Sequence, residues 1–176
     1  NQQGIWFLCQ FAPESSIYNV SFAGQIHSNI DVPAFQRAFQ TLVDRHPSLR
    51  TTIAVRLGKP VQQIHEHQPV RFEEIDASTW REDELQTRLS EETQRPFNLE
   101  LGPVMRVTLF TRSIQEHVLL LVIHHIVVDF WSLAVMLNEL GVLYSAERAA
   151  QPAALPPLEL QYTDFVRWQS EMLASP

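Results

Sequence analysis

The chain has a single cysteine, Cys9, in 176 residues, so no disulfide can form within it, and a lone thiol fits a reducing, cytoplasmic setting. No apolar run approaches the roughly 18 residues of a membrane helix, and no basic stretch precedes a shorter one, so neither a membrane span nor a signal peptide is expected. Clusters of Lys and Arg are missing too. With 13 basic against 20 acidic side chains, and a formal net charge of -7, the chain lacks the phosphate-neutralising surface that nucleic-acid binding depends on. There is no internal repeat and no low-complexity tract. What is present is an ordinary globular composition, 45% hydrophobic, at a length that suits one domain with a sizeable core. The chain opens on Asn1 rather than Met and ends on Ser175-Pro176, so it reads as a piece of something longer.

Periodicity places the elements. Asn1 to Phe11 has Ile5, Leu8 and Cys9 at helical spacing, a short helix ending before Pro13. Cys9 falls on its buried side and, with no His, Lys or Arg nearby to lower its pKa, reads as a structural thiol. Ile17 to His27 alternates as a strand whose dry face carries Tyr18, Val20, Phe22 and Gly24. Asp31 offers an N-cap, Pro33 fits the first turn, and Val32, Phe35, Ala38, Phe39, Leu42 and Val43 form one stripe of a helix to about Arg45, stopped by His46-Pro47. Leu49 to Val55 and Val61 to Glu66 pair as a hairpin around Gly58-Lys59-Pro60, and Val70 to Ile75 is a further strand. Thr79 with Glu82 makes a capping box for a helix to about Gln94. Pro96 to Arg106 is a loop running into a strand from Val104 to Thr111. Ser132 to about Ala146 is apolar at Leu133, Val135, Met136, Leu137, Leu140 and Leu143, a helix expected to be largely buried. Ala149 to Pro157 is an extended connector, after which Thr163 caps a last helix with Phe165, Val166 and Trp168.

The chain is organised around VLLLVIHHIVVDFWS, Val118 to Ser132. Its six leading apolar residues, Val118 to Ile123, are too few for a membrane and read as a strand buried on both faces, ending at His124 and His125. Successive strand side chains point to opposite faces, so the two imidazoles cannot share a cavity if the strand persists, and only one is placed for chemistry. Asp129 follows His125 closely enough for a turn to return the carboxylate beneath the ring. The pattern His-His-x-x-x-Asp admits two readings: a reactive imidazole steered by a carboxylate, or a strand end with structural histidines and Asp129 capping a helix that begins near Ser132. His65 and His67 lie on one side of a strand but have no third ligand at metal-like spacing, so no metal is expected.

HHIVVDFWS resembles the His-His-x-x-x-Asp-Gly core motif of the condensation domains of nonribosomal peptide synthetases, within the chloramphenicol-acetyltransferase-like superfamily. Other segments agree in order. NQQGIWFL, Asn1 to Leu8, resembles the family's first motif, an aromatic pair followed by Leu. RHPSLRTTI, Arg45 to Ile53, resembles the second, Arg-His-Glu-x-Leu-Arg-Thr-x-Phe. PFNLELGPVMR is similar to a Pro-Phe-Asp-Leu-x-x-Gly-Pro segment ahead of the histidine strand, and LPPLELQYTDFVRWQ, Leu155 to Gln169, to a Leu-Pro-Pro-Leu and Gln-Tyr-x-Asp-Phe/Tyr run behind it. The resemblance spans this chain but only about the N-terminal half of the family's domain. It implies an α/β (α+β sandwich) lobe with a mixed, mostly antiparallel sheet and helices packed on it, residues 1–176 forming the N-terminal lobe and the C-terminal lobe lying outside the chain.

The function so implied is amide bond formation between an acyl or peptidyl thioester on one carrier protein and an aminoacyl thioester on another, both delivered on phosphopantetheine arms into a tunnel between the lobes. No cofactor is implied for this lobe itself, its partners are the second lobe and the carriers, and the lobe alone is expected to be inactive. By match to the motif, His125 is the catalytic residue and His124 turns away to orient the loop. Asp129 corresponds to an aspartate that pairs with Arg50, a structural ion pair holding the loop. Trp131 packs beside the loop, with a direct substrate contact as the alternative, and Ser132 follows it as in the family. Phe130, Trp131 and Ser132 are candidate tunnel or loop contacts, and Arg45 and His46 stand behind the site or at the surface. Two positions depart from the pattern: Phe130 replaces the glycine and Pro47 a glutamate. A phenyl ring at Phe130 is expected to narrow the tunnel, alter the acceptor or accompany modified chemistry. Heterocyclisation domains replace the histidines with an aspartate pattern and epimerisation domains reverse the order of Trp131 and Ser132, so condensation fits better. The alternatives are a stand-alone acyltransferase of the superfamily with an alcohol or amine acceptor, and a degenerate, non-catalytic lobe that docks carriers.

Overall fold

In the computed structural model the described residues are 2–158 and Met172. The expected helix capped by Thr163 lies outside them. Among the described residues five helical segments and six strands follow one another: α1 Gln2–Phe11, β1 Asn19–Ile26, α2 Val32–Arg45, a 3-10 turn Pro47–Arg50, β2 Thr51–Arg56, β3 Lys59–Ile64, β4 Arg71–Asp76, α3 Glu82–Gln94, β5 Met105–Ser113, β6 Glu116–His124 and α4 Phe130–Ala149. Strands β1, β6, β5 and β4 form one sheet in that order, with β6 antiparallel to both neighbours and only the β4–β5 pair parallel. β2 and β3 form a separate hairpin.

The continuous apolar run of β6 is explained by cover on both faces. Leu119, Leu121 and Ile123 pack with Val107 and Leu109 of β5 against Phe35, Phe39 and Leu42 of α2 and against Leu133, Met136, Leu140 and Leu143 of α4. Val118, Leu120 and Val122 meet Phe110 and, on α3, Leu85 and Leu89. A third cluster, Ile53, Leu99, Val104 and Ile126 with Ile5, Trp6 and Cys9, seats α1 and the hairpin at the end of β6. Ile53 N–H donates to the carbonyl of Leu99 at 2.7 Å, tying the hairpin to the loop that precedes β5.

Several local expectations shift. Asp31 does cap α2, its Oδ1 accepting from Ala34 N–H at 2.9 Å. The hairpin turn is Leu57-Gly58, at φ 52° and 73°, which places Pro60 inside edge strand β3 rather than in the turn. A 3-10 turn takes Leu49 and Arg50 out of β2, because Pro47 fits the first position of a tight helical turn. The capping box of α3 is two residues later than Thr79: the Glu84 carboxylate accepts from Arg81 N–H at 2.7 Å. Helix α4 buries one face only, leaving Val135 and Trp131 exposed. Its buried Glu139 accepts from Arg45 Nε at 3.2 Å and lies 2.6 Å from His46 Nε2, so these two residues are not peripheral but lock α2 to α4. No helix of the described residues is long and apolar enough to cross a membrane.

Because β6 is packed from both sides, Leu121→Ala leaves a void its neighbours cannot fill and is expected to cost roughly 2–5 kcal/mol. Ser21→Ala on the exposed face of β1 is expected to stay within about 0.5 kcal/mol. Denaturant unfolding of both variants checks the contrast.

Candidate active site

The end of β6 divides the two histidines. Both remain in the backbone ladder, His124 N–H donating to Val104 O at 3.0 Å and His125 N–H to Tyr18 O at 2.7 Å. A turn then closes, Val127 N–H reaching back to His124 O at 3.1 Å, and the chain enters α4 behind Asp129. His124 continues the side of β6 that carries Leu120 and Val122 and is buried, edge-on to Phe97 with ring centroids 6.0 Å apart. His125 is exposed.

Hydrogen-bond partners fix the tautomers. Ile126 N–H donates to His124 Nδ1 at 3.1 Å, so the proton of a neutral His124 sits on Nε2. Burial above all, with the adjacent His125 adding to it, pushes the His124 pKa down to about 4, so the ring is neutral at physiological pH. For His125 the pattern is reversed. Val128 O lies 2.7 Å from Nδ1 and a carbonyl can only accept, so Nδ1 carries the hydrogen and the lone pair is on Nε2. The arrangement is an exposed imidazole with a basic nitrogen, beside a buried one that cannot take a proton near neutrality.

Asp129 and Arg50 do not pair. Asp129 Oδ1 accepts from both N–H and Oγ–H of Ser132 at 2.7 Å, which holds its carboxyl below the usual range and makes it the N-cap of α4. Arg50 donates instead to the carbonyls of His65 and Asp44. Capping is the second of the two readings the spacing allowed. Trp131 also departs from expectation. Rather than packing on the loop it is 77% exposed and forms a wall of a groove of about 240 Å³ with Gln2, His46, Thr51, Ile64 and Val127. Phe130, 86% exposed, stands free at the start of α4.

Sequence reading missed four contributors. Cys9, which has no histidine near it in sequence, has His124 Nε2 3.7 Å from its Sγ once α1 lies across the end of β6, and burial raises its thiol pKa. Gln2 Nε2 donates to Ile126 O at 2.6 Å. Phe97 stands edge-on to His124, and the Arg106 guanidinium lies 3.8 Å from the centre of the Phe97 ring, over its face. None of these carries a local sequence signal, since each depends on a crossing of distant elements. His65 and His67 turn to Thr52 and Asp44, and among the described residues no group of three or more His, Cys, Asp or Glu could hold a metal.

Comparison with known proteins gives a consistent picture. The Condensation domain profile matches residues 1–176. The chain is 40% identical to a linear gramicidin synthase of Brevibacillus parabrevis over 98% of its own length and 2% of that protein's. It is 41% identical to chondramide synthase cmdD of Chondromyces crocatus over 97% and 4% respectively. Among solved structures it is similar to the X-domain from teicoplanin biosynthesis in complex with OxyB, at TM-score 0.89 and 32% identity, covering 98% of this chain and 37% of that one. The first condensation domain of the calcium-dependent antibiotic synthetase, in complex with a substrate analogue, shares the fold at TM-score 0.87 and 24% identity, covering 99% of this chain and 42% of that one. The chain thus spans a few per cent of these curated relatives and about two-fifths of the solved chains.

Two measurements test the geometry. An unfolded histidine titrates near 6.5 and His124 near 4 in the fold, so the unfolded state binds the extra proton first as pH falls. Stability is therefore expected to be fully present above about pH 6.5 and to drop by roughly 3 kcal/mol on the way down to pH 4. His124→Asn, which keeps an acceptor for Ile126 N–H, should flatten that slope in pH-dependent denaturation. Separately, Asp129→Ala is expected to cost about 1 kcal/mol as a lost cap, and a double-mutant cycle with Arg50→Ala should give a coupling within about 0.5 kcal/mol of zero. A coupling of several kcal/mol would mean that the two charges meet.

Proposed function

The chain belongs to the condensation domain family, and from that premise we propose that it is the N-terminal lobe of a condensation domain forming an amide bond between two carrier-bound thioesters. The observation that carries the reading is the exposed His125 with its lone pair on Nε2, held at the end of a strand covered on both faces. The names of the peptide synthases it resembles support the same reaction class.

The reaction asks modest chemistry of the protein. An α-amine has a pKa of about 8, so a fraction is already neutral near pH 7, and a thioester is an activated acyl group. The amine nitrogen attacks the thioester carbonyl carbon; His125 Nε2 hydrogen-bonds the amine, takes its proton as the N–C bond forms, and stabilises the tetrahedral adduct. Collapse breaks the C–S bond, and the departing thiolate recovers a proton. His124 stays neutral throughout and holds the loop. Direct aminolysis needs no protein nucleophile, and Cys9, whose thiol is held protonated by burial, is not suited to be one.

The second lobe supplies the facing wall, and the donor and acceptor carriers present their phosphopantetheine arms to His125. Phe7, Phe11, Phe130 and Trp131 are all more than half exposed on α1 and the start of α4, the apolar area such a wall would cover. Phe130, in place of the family's glycine, narrows the approach to the acceptor side and tunes its specificity. The lobe by itself is inactive, no cofactor is bound by it, and the free thiol of Cys9 supports a cytoplasmic setting.

In the complete synthetase, His125→Ala is expected to lower amide formation by about 10²-fold or more, measured as dipeptidyl thioester by mass spectrometry in single turnover. A wild-type rate would leave only a carrier-docking role for this lobe. Transfer of the acyl group to a free alcohol in preference to a carrier-bound amine would favour a stand-alone acyltransferase.

A further inference from the structure

We propose that α1 holds the histidine loop in the geometry that leaves the His125 Nε2 lone pair exposed, with Cys9 and Gln2 as its two positioning residues. The inference rests on the reading of His125 as proton acceptor and deepens it. Two side chains from opposite ends of one helix reach the loop, Gln2 at Ile126 and Cys9 at the His124 ring that Ile126 N–H donates to. Gln2 Nε2 donates to the Ile126 carbonyl at 2.6 Å, and Gln2 Oε1 is itself held by Gln62 Nε2 of β3 at 2.5 Å. On the other side, Ile126 N–H donates to His124 Nδ1, which places the His124 proton on Nε2, facing Cys9 Sγ at 3.7 Å. Sulfur is a weak and large acceptor, and that distance is within N–H···S reach. The protonated thiol therefore accepts from the imidazole.

The consequence runs through the turn. If Nε2–H of His124 loses its acceptor, a buried donor is left unpaired, and the ring must tilt toward another acceptor, which strains the bond that Nδ1 accepts from Ile126 N–H. The turn must then shift, and with it the Val128 carbonyl that keeps hydrogen on His125 Nδ1 and the lone pair on Nε2. Cys9 and Gln2 thus act through His125 and touch no substrate. Ile5 and Trp6, which seat the same helix in the core, would move stability but not this proton arrangement.

The test uses the complete synthetase with Cys9→Val, Cys9→Ser, Gln2→Met and His125→Ala, read as kcat and KM for amide formation with carrier-bound substrates. Cys9→Val and Gln2→Met are expected to lower kcat roughly threefold to tenfold with KM for both carriers unchanged. Cys9→Ser, which restores an acceptor, should recover most of the loss. In the His125→Ala background, Cys9→Val should cause no further loss in the residual rate, because its effect passes through that ring. Wild-type kcat in both Cys9→Val and Gln2→Met, or an undiminished Cys9→Val effect in the His125→Ala background, overturns the proposal. If Cys9→Val does not fold, Gln2→Met decides alone, since Gln2 is only half-buried at the first position of α1. Amide formation at the wild-type rate in His125→Ala sinks the reading of His125 instead, a result distinct from either.

Discussion

A strand covered on both faces can present a reactive group only where the cover stops, and that constraint organises this chain. Along β6, helices α2 and α4 take one set of side chains and α3 the other, so from Val118 to Ile123 there is no position at which a polar side chain could reach solvent without leaving a hole or an unpaired group. At His124 and His125 the ladder ends while the neighbouring backbone still fixes the chain, through Val104 O and Tyr18 O. Rigidity up to the last residue followed by abrupt exposure is what allows an imidazole to be accurately aimed without an elaborate pocket of its own.

The two histidines differ in burial and in which nitrogen carries the proton because their environments differ, not their chemistry. His124 is enclosed by Phe97 and α1, and the cost of charging it there keeps it an acceptor for Ile126 N–H across the pH range in which proteins work. Phe97 is in turn fixed by Arg106, whose guanidinium lies over the ring and closes the C-terminal end of α3 by donating to the carbonyls of Glu92, Arg95 and Pro96 at 3.2, 2.6 and 3.3 Å. Burial above all pulls that arginine down to about 10, still charged at neutral pH; the carbonyl partners, the aromatic face and the Glu92 carboxylate offset part of its desolvation, and its Nε is left without a partner. Support for the loop therefore reaches back through Phe97 to the C-terminal end of α3, the helix that covers the His124 face of the sheet.

Much of this was legible in the sequence where the signal is periodic and local. The α2 stripe with its Asp31 cap and the alternation of β1 needed only neighbouring residues to be read. The strand reading of Val118 to Ile123, and the division of its two terminal histidines, followed from the same period-two rule. Misreadings cluster where two local solutions compete. Thr79 and Arg81 both precede acidic residues at capping distance, and the turn made by Trp80 N–H to Ala77 O delays the helix to Arg81. Helix α4 has apolar residues on more than one side, and only contact with α2 and β6 decides which face is covered. Cys9 and Gln2 were beyond reach, since their role exists only because α1 crosses the end of β6.

The carboxylate of Asp129 shows why a short-range partner wins over a distant one. Ser132 is three residues away, so its N–H and hydroxyl are brought to Asp129 by the first turn of α4 at almost no further loss of chain freedom, and the exposed cap keeps much of its hydration. Pairing with Arg50 would require desolvating two full charges and ordering a long side chain across the site, a combination whose net gain is small and often negative. Arg50 is better served by the carbonyls of His65 and Asp44, which satisfy part of the guanidinium without importing a second charge. The division has a structural consequence beyond either residue: the loop is fixed to α4 by Asp129 and to α1 by Gln2, while Arg50 binds His65, the residue after β3, back to Asp44 of α2, so the histidine turn is held by neutral hydrogen bonds and a cap whose strength barely depends on any opposing cation.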